Sequence, residues 1–361
     1  MRLGRRKKIR KIQGKDLNNS RIEPSEFIPI VFVHLNGLIP RYLYLNIERT
    51  VKLFPNNRVI LLVNSIQKPF DIEGLTIYHY IEDEDWKILS ELLKHPQNFR
   101  NNFWFTSLAR FLVLRQFLIN YDNSILHVES DVLLARDFPF TKLSKITESL
   151  AFPIVSNERG VASTVYFKNL AAATALVQFT LTEARNKPTL SDMILLRLYY
   201  NENKNNVCVL PIGPLGADYY NDHIDNDLLI RISKGVDYFG GIFDGNDIGV
   251  YFFGTNPVNL RGRTILRKEI DLNYANVRNW VPKYNRVRKF INILQDEKPE
   301  LPIYSIHAAV KSEELFSFKE KNKIMRKRIK DYNLSSKKEL LPKIFISQFK
   351  IAFLKRARML K

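Results

Sequence analysis

Apolar and polar residues run through the first third of this chain in blocks that read alternately as strands and helices. Phe27–Leu35 (FIPIVFVHL) is a nearly unbroken apolar run of strand length, and Val59–Val63 (VILLV) repeats the pattern. Between them, Pro40–Phe54 sets Leu43, Ile47, Val51 and Phe54 at helical spacing. Thr76–Tyr80 reads as a third strand and Glu82–Leu93 as a helix. Asn102–Ile119 reads as a longer helix, apolar on most faces and therefore buried. Ile125–Val128 follows as a further strand. This alternation predicts an α/β fold, a Rossmann-like, mainly parallel sheet flanked by helices and joined by right-handed crossovers. Beyond it, Leu150–Ile154 and Thr164–Phe167 read as strands, Ala171–Ala184 and Ser191–Tyr200 as helices, and Ile303–His307 as a last short strand. Residues 211–262, rich in Gly, Asp, Asn and Tyr, read as loops and short strands that build a site. No internal repeat is visible.

The pattern is broken most tellingly at SILHVESDVLL, residues 124–134. Apolar Ile125, Leu126 and Val128 give way to Glu129-Ser130-Asp131, and Val132, Leu133 and Leu134 resume at once. Alternate residues at a strand end point the same way, so Glu129 and Asp131 can hold one hard cation, and that cation can hold a diphosphate. The bland alternative is a carboxylate pair that caps a neighbouring loop. Two other acidic runs, Asp83-Glu84-Asp85 and Asp225-Asn226-Asp227, lie in polar surroundings that suggest solvated loops. Position separates the first cluster from these, because open α/β sheets bind ligands at the carboxyl ends of their strands.

Other residues carry chemistry and a plainer reading side by side. His307 ends an apolar stretch and is either a third metal ligand or a hydrogen-bonded core histidine. His34 closes the first strand, where His34-Leu35-Asn36-Gly37 can frame a base or ribose or form an ordinary strand-to-helix turn. Arg110, on an apolar helix, needs an anionic partner, which is either a structural carboxylate or a diphosphate. Asp192 is either a helix cap or a general base, and Asp244 either a turn aspartate or a base. Glu158 competes for the same role.

Charge adds a division of the chain. The net charge is +19 over 361 residues. Residues 1–15 carry eight Lys/Arg and no acid, and residues 319–361 carry fifteen Lys/Arg against three acids. Together these ends hold twenty of the net positive charges, so residues 16–318 carry −1. A near-neutral body argues against a nucleic-acid groove in the core, and basic ends favour an anionic surface. The reading is a basic arm over 1–24, a body over 25–316 with halves at about 25–140 and 141–316, and a basic tail over 317–361. Within the tail, Leu341, Phe345, Phe349, Phe353 and Leu360 fall near one helical face, as in an amphipathic membrane-surface helix, or in a helix that packs on its own domain or on a second copy. The single cysteine, Cys208, excludes an internal disulfide and fits a reducing compartment. No apolar h-region follows the basic N-terminus, and no apolar stretch approaches a membrane span. The expectation is a cytoplasmic, peripheral membrane protein.

The order of these features resembles bacterial nucleotide-sugar glycosyltransferases of the GT-A fold, over roughly Phe27 to Phe316. LHVESDVLL is similar to the strand ending in the family's DxD motif, with Glu129 in its first position. Ser107–Leu118 resembles the preceding Arg-bearing helix, Ala162–Asn169 the following strand, and Ser191-Asp192-Met193 the acidic turn that opens the next helix. Phe243–Gly254 resembles a loop over the site, and Tyr304–Lys311 (YSIHAAVK) a late segment whose His reaches the metal; Ala308 and Ala309 depart from the more polar residues expected there. The resemblance implies Mn2+ or Mg2+ on Asp131, Glu129 and His307. It implies a nucleotide sugar, UDP-linked by expectation, held among His34, Asn36, Arg110, Glu129, Ser130 and Asp131. A base for the acceptor hydroxyl would come from Asp192, Asp244 or Glu158. The acceptor would be a glycan or lipid-linked glycan of the kind used in capsule, lipopolysaccharide or O-antigen synthesis. Two rivals are a nucleotide-sugar pyrophosphorylase or phosphohydrolase, and a membrane or nucleic-acid adaptor. The first expects a Gly-rich, Lys-bearing loop after the first strand, where LNGLIPRYL has one Gly and no Lys. The second is disfavoured by the neutral body.

Overall fold

The computed structural model describes residues 27–35, 37–65, 71–95, 102–121, 123–213, 224–245, 248–249, 253, 281–288, 290–295, 298–308, 311, 313–317, 322–327 and 330. The first half is the α/β sheet the pattern predicts. β1 (Ile30–His34), α1 (Arg41–Leu53), β2 (Val59–Val63), β3 (Leu75–His79), α2 (Glu84–Leu92), α3 (Phe103–Tyr121) and β4 (Ile125–Val128) follow in order. β6 (Leu150–Pro153), β7 (Thr164–Phe167), α5 (Leu170–Asn186), α6 (Asp192–Glu202) and β8 (Val207–Leu210) complete a seven-stranded sheet of order β3-β2-β1-β4-β7-β6-β8. Only β7 runs antiparallel to its neighbours. β2 is buried at every position because layers cover both faces of the sheet, which is why its sequence does not alternate. Val31, Ile60, Leu62 and Ile125 join the core under α2, α3, α5 and α6. Ile30, Phe32, Leu61 and Leu126 join the opposite core under α1.

A second sheet was not foreseen. β5 (Val132–Leu134), β10 (Val281–Asn285), β11 (Phe290–Gln295) and β12 (Lys298–His307) form the order β10-β11-β12-β5, and β9 (Ile242–Phe243) pairs with β12. The apolar residues after Asp131 therefore belong to a different sheet from those before Glu129. The strand predicted over 303–307 is the end of the ten-residue β12. Residues 211–262, expected as loops and short strands, contain the 14-residue helix α7 (Asn226–Phe239). The acidic runs expected in solvated loops are instead helix N-termini. Asp83 Oδ1 accepts the Trp86 N–H at 3.0 Å and Asp225 Oδ1 the Leu228 N–H at 2.8 Å. Asp83 and Asp85 also hold Arg115 of α3. α4 (Phe140–Leu143) and α8 (Glu313–Phe316) are single turns. Cys208 is half-buried on β8, and burial pushes its thiol up to about 12. Among the described residues no helix is long and apolar enough to cross a membrane. The amphipathic stretch expected over 342–360 lies outside the described residues.

Candidate metal and nucleotide site

Residues 129–131 form the turn that carries the chain from one sheet to the other, at the carboxyl end of β4. Both sides are pinned. Glu129 N–H donates to Ser163 O at 3.1 Å, and Asp131 O accepts the Ala308 N–H at 2.7 Å. On the β5 side, residues 131 and 135 face β12 through Ala308 and Tyr304, so the carbonyls of 130, 132 and 134 face away along an open edge. α1 closes that edge with side chains in place of a strand. Asn46 Nδ2 donates to Ser130 O at 3.1 Å and to Val132 O at 2.8 Å, and Arg49 Nη2 donates to Leu134 O. Tyr42 Oη meets Ser130 Oγ at 3.3 Å. Tyr42, Asn46 and Arg49 share one helical face, so one stripe of α1 sets the turn.

β12 brings the third member. His307 Nε2 lies 3.0 Å from Asp131 Oδ1 and 3.5 Å from Glu129 Oε2. Ligand atoms of Glu129, Asp131 and His307 all lie within 4.8 Å of one another. After β12 the chain turns through Lys311 at a left-handed φ of 53°. That turn returns the Lys311 ammonium to 3.2 Å from Asp131 Oδ2, over the ring of Tyr42. Lys311 lay inside the late segment read from the sequence, but a lone lysine there gave no signal of its own. The second sheet's contribution rests on a close approach behind His307. A Cβ on Gly249 would meet the His307 carbonyl oxygen at 1.8 Å, so only glycine fits.

Arg110 lies between two carboxylates, so its partner is both structural and at the site. Its guanidinium donates to Glu129 Oε1, and its Nη2 to Asp192 Oδ2 at 3.0 Å. Burial acts to raise the Asp131 carboxyl, but His307 and Lys311 outweigh it and hold Asp131 well below the usual range. Glu129 is likewise held down, against burial, by Arg110 and His307. Burial wins at Asp192, which is raised in spite of Arg110. Burial opposes a charge on His307 too, yet Asp131 and Glu129 raise it to about 9. In the metal-free protein His307 is therefore an imidazolium that, with Lys311, balances the acidic turn.

The remaining predicted residues fall around this cluster. Asp244 is fully buried and its carboxylate accepts three backbone N–H groups: Ile248 at 3.0 Å, Gly249 at 2.7 Å and His307 at 2.9 Å. Burial raises its pKa. Glu158 is exposed, in a turn whose Ser156 Oγ accepts its N–H at 3.1 Å. His34 is half-buried at the end of β1, the strand beside β4, with an unpartnered Nε2, and burial lowers its pKa. Asn36 lies outside the described residues.

No protein-family model and no curated protein matches the sequence. Several solved structures resemble the fold. The galactosyltransferase LgtC, in complex with donor and acceptor sugar analogs, matches with 12% identity, over 58% of this chain and 83% of that one, at a TM-score of 0.39. The PaToxG glycosyltransferase matches with 10% identity over 51% and 71%, at 0.35. The glycosyltransferase GlyE of Streptococcus pneumoniae TIGR4 matches with 14% identity over 51% and 45%, at 0.34. Likeness this distant leaves the functional assignment to the residues themselves.

Proposed function

We propose that this chain is a metal-dependent glycosyltransferase of the GT-A type, which moves a sugar from a nucleoside diphosphate donor, UDP by preference, to a glycan or lipid-linked glycan. The observation that carries the reading is the meeting of Glu129, Asp131 and His307, delivered by two different sheets, at the carboxyl end of β4. Two carboxylates and an imidazole suit Mn2+ or Mg2+, and the Lys311 ammonium beside Asp131 supports a turn that accepts positive charge. A bound ion there supplies charge neutralisation for the departing diphosphate.

The chain's own residues do the rest. Asp131 and His307 would hold the ion, and Glu129, fixed by Arg110, would complete the set or take the ribose. Lys311, 3.2 Å from Asp131 Oδ2, would be the cation beside the phosphates. His34, at the end of β1 beside β4, would frame the base or ribose, with Asn36 as its companion in the sequence reading. Asp244 has its carboxylate committed to backbone N–H groups, which supports a role in holding His307. Asp192 adjoins Glu129 through Arg110, and this favours it over the exposed Glu158 for contact with sugar or acceptor hydroxyls. The basic tails hold the enzyme at an anionic membrane face.

The test is release of UDP from a panel of UDP-sugars with Mn2+, with EDTA, and with Asp131→Asn. Metal-dependent release that the variant loses supports the proposal. Release that is indifferent to both EDTA and Asp131→Asn refutes it.

A further inference from the structure

Cations on the outer face of the small sheet are not matched as those of the site are. The β10–β11 hairpin turns through Arg286 and Val287, both exposed, and Val287 is 86% exposed. Beside it, residues 322–327 form a helical segment whose inner side is buried Met325 and half-buried Ile324, packed on the core of this sheet. Its outer side carries Lys323, Arg326 and Lys327, all exposed. The Arg326 guanidinium lies 5.5 Å from the centre of the Tyr284 ring on β10, so hairpin and helix share one face. Lys283 and Arg288 nearby are paired with Glu300 and Asp137. Among the described residues, Arg286, Lys323, Arg326 and Lys327 join no ion pair.

We infer that this face docks on an anionic lipid bilayer. Four cations that join no ion pair among the described residues, on a face that also exposes Val287, fit a phosphate-rich surface with an apolar layer beneath, the combination of two weak signals that peripheral anchoring needs. The face also borders the site. β11 pairs Asn292 with Pro302 and Ile293 with Leu301 in antiparallel register, so the hairpin turn before Phe290 lies toward the His307 end of β12. The substrate class that docking on this face fits is an acceptor anchored in lipid. That last step rests on the glycosyl-transfer reading, whereas the docking face does not.

The experiment is sedimentation of the full chain with vesicles of phosphatidylcholine alone or of equal parts phosphatidylcholine and phosphatidylglycerol, with Mn2+-dependent UDP binding measured on the same samples. The wild type should bind only the anionic vesicles, and less as salt rises. Replacing Arg286, Lys323 and Lys327 together by Gln should weaken binding about fivefold per charge, ~100-fold in all. Val287→Ser should weaken it several-fold, and thermal unfolding should be unchanged in both variants. Equal binding by the triple variant, equal binding to neutral vesicles, or a preference for duplex DNA over anionic vesicles at the same salt would each overturn the docking face. Loss of UDP binding in the wild type with vesicle binding intact would instead remove the transfer reading and leave the face standing.

Discussion

Two buried arginines grip the segment 129–134 from opposite ends, and they do it differently. Arg110 holds the front of the segment by charge, between Glu129 and Asp192. Arg49, 1% exposed, holds the rear by a hydrogen bond to the Leu134 carbonyl, with no carboxylate paired to it among the described residues. The pairs raise Arg110, although burial opposes them, while burial alone pulls Arg49 down to about 9. The difference separates function from support. Charge is concentrated where a cation and a diphosphate would sit, and the frame behind it is kept by hydrogen bonds to backbone. Inside a low-dielectric core, an ion pair broken on one side is far more costly than a guanidinium replaced by an apolar group of similar shape.

The largest effect should come from breaking the charged end. Arg110→Met leaves buried Asp192 without its counter-charge and Glu129 with His307 alone, and should cost about 3–5 kcal/mol in denaturant unfolding. Asn46→Leu, at the junction of the two ends, removes both hydrogen bonds to the Ser130 and Val132 carbonyls. It should cost about 2 kcal/mol and loosen Mn2+ binding without touching a ligand. The third prediction is pH dependence. His307 sits at about 9 in the metal-free protein, above its ordinary 6.5, so it is protonated at neutral pH and an incoming ion must displace the proton. Mn2+ affinity should rise about tenfold per pH unit from pH 7 to about 9 and then level off. Stability of the metal-free protein runs the other way. The contribution of His307 is fully present below pH 6.5 and is lost as pH rises through about 9. The smallest effect should be at the uncharged end. Arg49→Met exchanges an uncompensated buried guanidinium for an apolar chain and should change stability by less than about 1.5 kcal/mol. A loss as large as that of Arg110→Met would erase the distinction between the two arginines.

Legibility in the sequence followed the same division. The large sheet announces itself because VILLV is buried at every position and FIPIVFVHL is apolar throughout except at His34, near its end. The small sheet is silent because VPKYN, FINILQ and KPELPIYSIH mix polar or charged residues with apolar ones, and because Pro282, Pro299 and Pro302 fall inside strands, where proline normally argues against one. α7 was hidden by the Gly, Asp and Asn around it. At the site, the acidic turn stood out as a break in an apolar run, and His307 as the end of one. The bonds of Arg110 to Glu129 and Asp192 span 19 and 82 residues, and those of Asn46 span 84 and 86, so only the folded chain shows them. Lys311 reaches Asp131 through a left-handed turn that no local pattern in HAAVK predicts.

The most direct test of the central claim is calorimetric titration of UDP into the full chain, with Mn2+ and with EDTA, beside Asp131→Ala. The account predicts binding that requires Mn2+ and disappears in the variant, while Val287→Ser, which is neither in the acidic turn nor among its ligands, binds as the wild type does. UDP binding of equal strength in EDTA and in Asp131→Ala would contradict it, because the acidic turn would then play no part in holding the diphosphate.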